Sequence, residues 1–67
     1  MYKNYDVIFL TVDIKEENLR KGDIGTIVEI WDSQPINYEI EFCNELGQTI
    51  AMVVLSEDYI QPYKDKL

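Results

Sequence analysis

Short apolar runs separated by polar turns recur along the whole chain. The runs cover residues 6–12, 24–31, 38–43, 48–55 and 59–63. They are rich in Val, Ile, Tyr and Phe, which suit the half-buried surface of a β-sheet, whereas Gly, Pro, Asn and Asp gather between them. Each run is also too short for a helix of ordinary length. The pattern therefore predicts five short strands and an all-β fold.

Residues 38–43 and 48–55 differ in how their two faces are patterned. In the first of these strands, Tyr38, Ile40 and Phe42 alternate with polar positions, which predicts one core face and one solvated face. The second strand is apolar on both faces, with rows Ala51, Val53, Leu55 and Ile50, Met52, Val54. Its second row is either covered by the first strand and the C-terminal segment or exposed as an interface, and the sequence leaves both open.

The connections contain the residue types that turns require. Residues 13–23 form a charged loop in which Glu16 and Arg20 have the spacing of a helical ion pair, and Gly22 lies where a helix C-cap would place it. We therefore expect a single helical turn in this loop. Residues 44–47 read NELG, which predicts a hairpin between strands three and four. Ser56 and the two acidic residues after it predict a second helical turn before the last strand.

The order of these elements predicts a small SH3-like barrel of about five antiparallel strands, with one helical turn before the last strand. An open four-stranded sheet is the main alternative. A chain of 67 residues can bury only one core, so we predict a single SH3-like domain over residues 1–67. A core of this size is also compatible with a homodimer.

Composition places the protein among folded intracellular domains. Apolar residues make up 46% of the chain, which is too many for a disordered segment. The N-terminal apolar run is only four residues long, so we expect neither a signal peptide nor a membrane span. Cys43 is the one cysteine, whereas a small secreted scaffold usually has several disulfides. We therefore expect a cytoplasmic protein.

Charge is the most informative part of the composition. The chain has 6 basic and 13 acidic residues, a net charge of −7. Residues 22–63 contain eight acidic residues and no lysine or arginine. Because nucleic-acid affinity depends on neutralised phosphates, such a surface repels DNA and RNA and suits a basic protein instead.

Three blocks of sequence, in order, resemble a known family. They are YDVIFLTVDI, KGDIGTIVEI and QTIAMVVLSEDYIQP, and together they span residues 5–62. They resemble the short bacterial proteins called domain of unknown function 4926. The resemblance implies an SH3-like fold, and it brings no established activity with it.

The middle block also resembles the KOW element of ribosomal proteins and transcription elongation factors. Gly25, Ile27 and Ile30 have the spacing of that element. RNA-binding KOW domains carry basic residues near this loop, whereas this chain has Asp23 and Glu29. The departure argues against RNA binding, and a nucleic-acid-binding module stays as the alternative function.

The glycines at the start of the second predicted strand have a simpler interpretation. Gly22 and Gly25 precede no GKS or GKT sequence, so a phosphate-binding loop is not indicated. We expect both to shape a tight turn with positive φ. Arg20 and Lys21 beside them are expected to be solvated loop residues.

No catalytic, cofactor-binding or metal-binding residue is predicted. The chain has no histidine, so Cys43 and Ser33 have no activating base. Glu39 and Glu41 share a strand face, but a barrel of this size has no cleft for a catalytic carboxylate pair. A solvated sheet face explains these two acids, and we expect a non-enzymatic protein without cofactors.

Trp31 is the residue that most invites a functional interpretation. Its indole either covers one end of the core or anchors a partner, since Trp and Tyr dominate interface hot spots. We predict partner contacts at Trp31, Asp32, Glu29 and Tyr38. The leading hypothesis is an acidic binding module that docks on a protein, with a basic protein as the candidate partner, in an antitoxin-like, immunity-like or regulatory role. An accessory subunit of an enzyme is a further alternative.

Overall fold

The computed structural model describes residues 2–64 and contains five strands and two 3₁₀ turns in this part of the chain. The strands are β1 (Val7–Leu10), β2 (Ile24–Trp31), β3 (Asn37–Cys43), β4 (Thr49–Ser56) and β5 (Ile60–Pro62). The turns span Lys15–Glu17 in the β1–β2 loop and Glu57–Tyr59 between β4 and β5. The all-β prediction and both helical turns are confirmed.

The strands form one antiparallel sheet in the order β4-β3-β2-β1-β5. The central strands make a meander, whereas the last strand returns to pair with the first, with Leu10 opposite Ile60. Within residues 2–64, β4 and β5 are the two ends of the sheet and do not pair with each other, so the sheet is unclosed. The five-stranded antiparallel arrangement is as predicted, and the closure of a barrel is not confirmed.

The core lies on one face of the curved sheet. It consists of nine buried apolar side chains: Ile8, Leu10, Leu19, Ile27, Tyr38, Ile40, Phe42, Val53 and Ile60. The alternation of β3 places Tyr38, Ile40 and Phe42 inward, as predicted. The Tyr2 ring packs edge to face on Tyr38 with the ring centroids 5.4 Å apart, and burial raises the pKa of the Tyr2 hydroxyl, with the negative charge of Glu57 adding to the rise.

The β1–β2 loop is held by hydrogen bonds to its own backbone. Ile14 and Leu19 form an isolated antiparallel bridge, and the buried Leu19 side chain anchors the loop to the core. Asp13 accepts from the Lys21 amide at 2.9 Å, and Asp23 accepts from the Arg20 amide at 2.9 Å. The loop carboxylates therefore act as backbone acceptors.

Two expectations about this loop are wrong. The turn ends at Glu17 and Asn18 takes the left-handed C-cap position with φ 62°, so Gly22 is not a helix cap. For the same reason Arg20 lies outside the turn, and its spacing from Glu16 does not give a helical ion pair. Gly22 does have positive φ, at 96°, and its amide donates to the Leu10 carbonyl at 2.8 Å.

Gly25 is a glycine for a different reason from the one predicted. It lies within β2, and positive φ among the described glycines is confined to Gly22 and Gly47. A Cβ at Gly25 would lie 2.7 Å from Cγ2 of Ile40 and 2.8 Å from Cε1 of Phe42. Two large core side chains of β3 occupy the space where any other residue would place its first carbon.

The hairpin between β3 and β4 follows the turn chemistry of residues 44–47. The Gly47 amide donates to the Asn44 carbonyl at 3.0 Å, and Gly47 has φ 80°. The Asn44 side-chain oxygen accepts from the amides of Leu46 and Gln48. This turn is confirmed as predicted, and it fixes how β4 lies against β3.

Candidate protein-binding face

The sheet face opposite the core combines carboxylates with exposed apolar side chains. In antiparallel strands, directly opposed residues project to the same face. Glu41 is opposite Met52 on β4, and Glu39 is opposite Val54 on β4 and Glu29 on β2. We call the surface formed by Glu29, Trp31, Glu39, Glu41, Met52 and Val54 the acidic-apolar face.

A β-bulge decides which residues of β2 belong to this face. The β2–β3 register shifts between Ile27 and Glu29, which leaves Val28 as the extra residue. Gly25 and Ile27 point into the core before the bulge, and Ile30 packs against the core after it. The bulge therefore turns Glu29 and Trp31 outward, whereas strict alternation would have placed them inward with Ile27.

Trp31 lies at the surface and does not close the core. Its side chain is 48% exposed, and it is absent from the described side chains that form the core or pack against it. Glu29 and Asp32 are exposed beside it. Three of the four predicted contact residues are therefore neighbours at one accessible end of β2.

The fourth, Tyr38, belongs elsewhere. It is 1% exposed and packs among the core side chains, with Tyr2 over it. Although it is opposite Ile30 at the same end of the β2–β3 ladder, its ring points away from the acidic-apolar face. A residue buried to this degree has no surface for a partner, so its assignment as a contact is corrected.

The apolar row of β4 that the sequence left undecided is exposed. Met52 is 48% and Val54 is 54% exposed, and Ile50, at a second bulge, is also 54% exposed. The opposite row contributes to the core through Val53, with Ala51 and Leu55 packed against it. Large apolar side chains in a contiguous exposed row are typical of interaction surfaces.

The charged residues of this face are all acidic. Glu29 and Glu39 are directly opposed across the β2–β3 ladder, and like charges in that position destabilise a sheet. The Thr49 hydroxyl donates to the Glu41 carboxylate, which holds that side chain over the start of β4. Because residues 22–63 contain no basic residue, no lysine or arginine of these strands is available to offset the acids.

The sequence predicted Trp31, Glu29 and Asp32 as contact residues. It did not predict that Glu39 and Glu41 lie beside the exposed apolar row of β4. From the sequence alone, the two acids indicate an ordinary solvated face. The signal that could have found them is their strict alternation beside a strand without charge. What the sequence does not reveal is the register that sets Glu39 next to Val54 and Glu41 next to Met52.

Residues 2–64 contain no group of three or more His, Cys, Asp or Glu side chains placed to hold a metal ion. This part of the chain also has no helix that is long and apolar enough to span a membrane.

Comparison with known proteins identifies the family. The model of the family described as "Domain of unknown function (DUF4926)" matches residues 4–62. The chain belongs to this family. No curated protein and no solved structure is detectably similar to it. The predicted resemblance is therefore confirmed. Because the family has no known function, a function for the DUF4926 chain follows only from its own geometry and charge.

Proposed function

We propose that this DUF4926 protein is a non-enzymatic binding module that docks a basic protein on its acidic-apolar face. The observation that supports this best is the register of β3 and β4, which sets carboxylates of β3 directly opposite exposed apolar residues of β4. Apolar side chains supply affinity on binding, and uncompensated carboxylates select a cationic partner and speed its encounter.

The Glu29–Glu39 pair adds to this argument. Two like charges directly opposed on β2 and β3 weaken the free protein. A cation from a partner, placed over both carboxylates, would turn this repulsion into attraction. Glu29 and Glu39 thus destabilise the free protein and stabilise its complex with a cationic partner.

Trp31 is the proposed anchor. It is large and half exposed, and it lies beside Asp32 and near Glu29, the acidic residue of β2. Aromatic residues with this placement commonly contribute the largest share of binding energy. We also propose that the protein acts in a bacterial cytoplasm, because the free thiol of Cys43 suits a reducing compartment.

The test begins with affinity capture from lysate of the producing cells, followed by calorimetric titration of the captured protein in purified form at low and physiological salt. We expect a basic protein whose affinity falls as salt rises. Trp31→Ala should weaken binding by roughly thirtyfold, the size of a hot-spot loss near 2 kcal/mol. Tyr63→Ala is the aromatic control, because this exposed ring follows β5, at the other end of the sheet from β4.

The charge on the face is tested by a matched pair. Glu39→Lys and Glu45→Lys change the net charge equally, but Glu45 lies in the exposed hairpin turn. Glu39→Lys should reduce affinity several-fold more than Glu45→Lys. Equal losses would contradict the proposal. Micromolar binding of a DNA or RNA oligonucleotide at physiological salt, with no protein captured, would favour the nucleic-acid alternative instead.

A further inference from the structure

A notch lies next to the acidic-apolar face, between the β1–β2 loop and the end of β4. It has a volume of about 330 Å³. It is lined by Val12, Asp13, Ile14, Glu16, Val54, Leu55 and Tyr59. Val54 belongs both to the notch and to the acidic-apolar face, so a partner on that face can reach into the notch without leaving the surface.

Five of the seven residues that line the notch are apolar or aromatic, and polar atoms contribute about half of its surface. Val12, Val54 and Tyr59 are all exposed in the free protein, although each contributes a carbon surface that water solvates poorly. The backbone around the notch is fixed, because the Thr11 amide donates to the Tyr59 carbonyl at 2.9 Å and Leu19 anchors the loop in the core. The notch is therefore part of the folded structure and not a gap between mobile loops.

Two carboxylates complete the lining. Asp13 is held by the Lys21 amide, which donates to one of its oxygens at 2.9 Å and leaves the other oxygen available. Glu16 follows on the Lys15–Glu17 turn. The lining includes no lysine or arginine, although Lys15 lies in the same turn. Apolar walls with carboxylates and no cation are complementary to one kind of side chain.

We propose that this notch receives a long cationic side chain, arginine or lysine, from the partner. Such a side chain packs its methylene stem on apolar surface and keeps its charged end at a carboxylate. A purely apolar side chain would leave the Asp13 and Glu16 charges partly desolvated without compensation. This inference deepens the proposed function by naming what the partner must present beside the acidic-apolar face.

The test is an NMR titration of the full chain with N-acetyl-arginine amide, using N-acetyl-citrulline amide as the uncharged isostere. We expect arginine to shift the amides of residues 12–16 and 54–59 in a saturable manner. Citrulline at equal concentration should shift them several-fold less. Equal shifts from the two probes would overturn the proposal, because the carboxylates would then not select the ligand.

Two neighbouring residues supply the matched variants. Glu16 and Glu17 lie in the same exposed turn, but only Glu16 lines the notch. Glu16→Gln should weaken arginine binding by roughly two- to fivefold, the range of one exposed ion pair, whereas Glu17→Gln should leave it unchanged. Identical effects of the two variants would overturn the assignment.

The notch and the proposed function can fail separately. Arginine shifts confined to the acidic-apolar face would overturn the notch and leave docking on that face standing. Partner capture that survives both Trp31→Ala and Glu39→Lys, together with arginine shifts in the notch, would instead uphold the notch and contradict the acidic-apolar face.

Discussion

Gly25 and Gly47 show that glycine has two different uses in this small sheet. Gly47 supplies a left-handed backbone in a turn where nothing lies within 4 Å of an added Cβ. Gly25 has ordinary strand geometry and instead leaves room for Ile40 and Phe42. The sequence shows glycine at both positions, but only the packing of β3 on β2 shows which constraint applies.

This difference predicts opposite tolerances. Gly25→Ala should destabilise the fold by about 1–3 kcal/mol, because the added methyl group overlaps buried side chains of β3. Gly47→Asn should cost only a few tenths of a kcal/mol, since asparagine tolerates the left-handed region. Urea denaturation of the two variants and the wild type measures this. A loss for Gly25→Ala no greater than that for Gly47→Asn would contradict the packing argument.

Trp31 and Tyr38 make the corresponding point for aromatic residues. Both flank the β2–β3 turn, and both were plausible partner contacts from composition alone. One is half exposed and the other is 1% exposed. The strict alternation of β3 places Tyr38 correctly inside, whereas no alternation rule places Trp31, because its direction depends on the bulge at Val28.

At the scale of elements, most of the strand pattern follows from the sequence. The predicted bounds of β2 agree with the structure, and those of β3 and β4 differ from it by one residue at each shifted end. These strands are bounded by turn residues with specific backbone requirements. Residues 6–12 and 59–63 were predicted too long, since pairing of β1 with β5 stops at Leu10 and at Pro62.

The candidate face was harder to predict than the strands that form it. Its composition depends on the β3–β4 register and on the bulge in β2, and neither leaves a local signal in residues 24–56. A bulge arises from tertiary packing, because one extra residue moves a whole strand end to the opposite face. The four residues proposed from sequence therefore included three on one surface and one in the core.

The opposed pair of Glu29 and Glu39 in the β2–β3 ladder lowers the stability of the free protein by an amount that can be measured. Glu39→Lys replaces the repulsion between Glu29 and Glu39 by an attraction, which should raise the free energy of unfolding by about 0.2–1 kcal/mol at low salt. Thermal or urea unfolding of the unliganded variants measures the gain. Glu45→Lys, with the same net charge, should give a smaller increase. A destabilised Glu39→Lys variant would contradict the opposed-charge geometry.

At the scale of the whole molecule, the net charge of −7 on 67 residues acts against compactness. Long-range repulsion among surface carboxylates is screened by salt over about 10 Å at 0.1 M. The stability of the free protein should therefore rise with ionic strength, in contrast to the affinity for a basic partner that we propose.

The expected size of this effect is moderate. Between low salt and roughly 0.5 M sodium chloride, the Debye length falls severalfold and about 1 kcal/mol of self-repulsion is removed, equivalent to about 4–8 °C in Tm for a domain of this size. Differential scanning calorimetry checks this, with Glu45→Lys as a variant of lower charge that should respond less. A Tm that falls with salt would show that attractive ion pairs dominate the fold.

The outer edge of β4 has a consequence for the solubility of the free protein. This eight-residue edge carries no charge and no proline, which are two of the means by which natural sheets avoid edge-to-edge aggregation. In the free chain, mutual repulsion between anionic copies takes over that protective task. Added salt should thus stabilise the fold of each molecule while promoting aggregation in a concentrated solution, and co-production with the proposed partner should counter that aggregation.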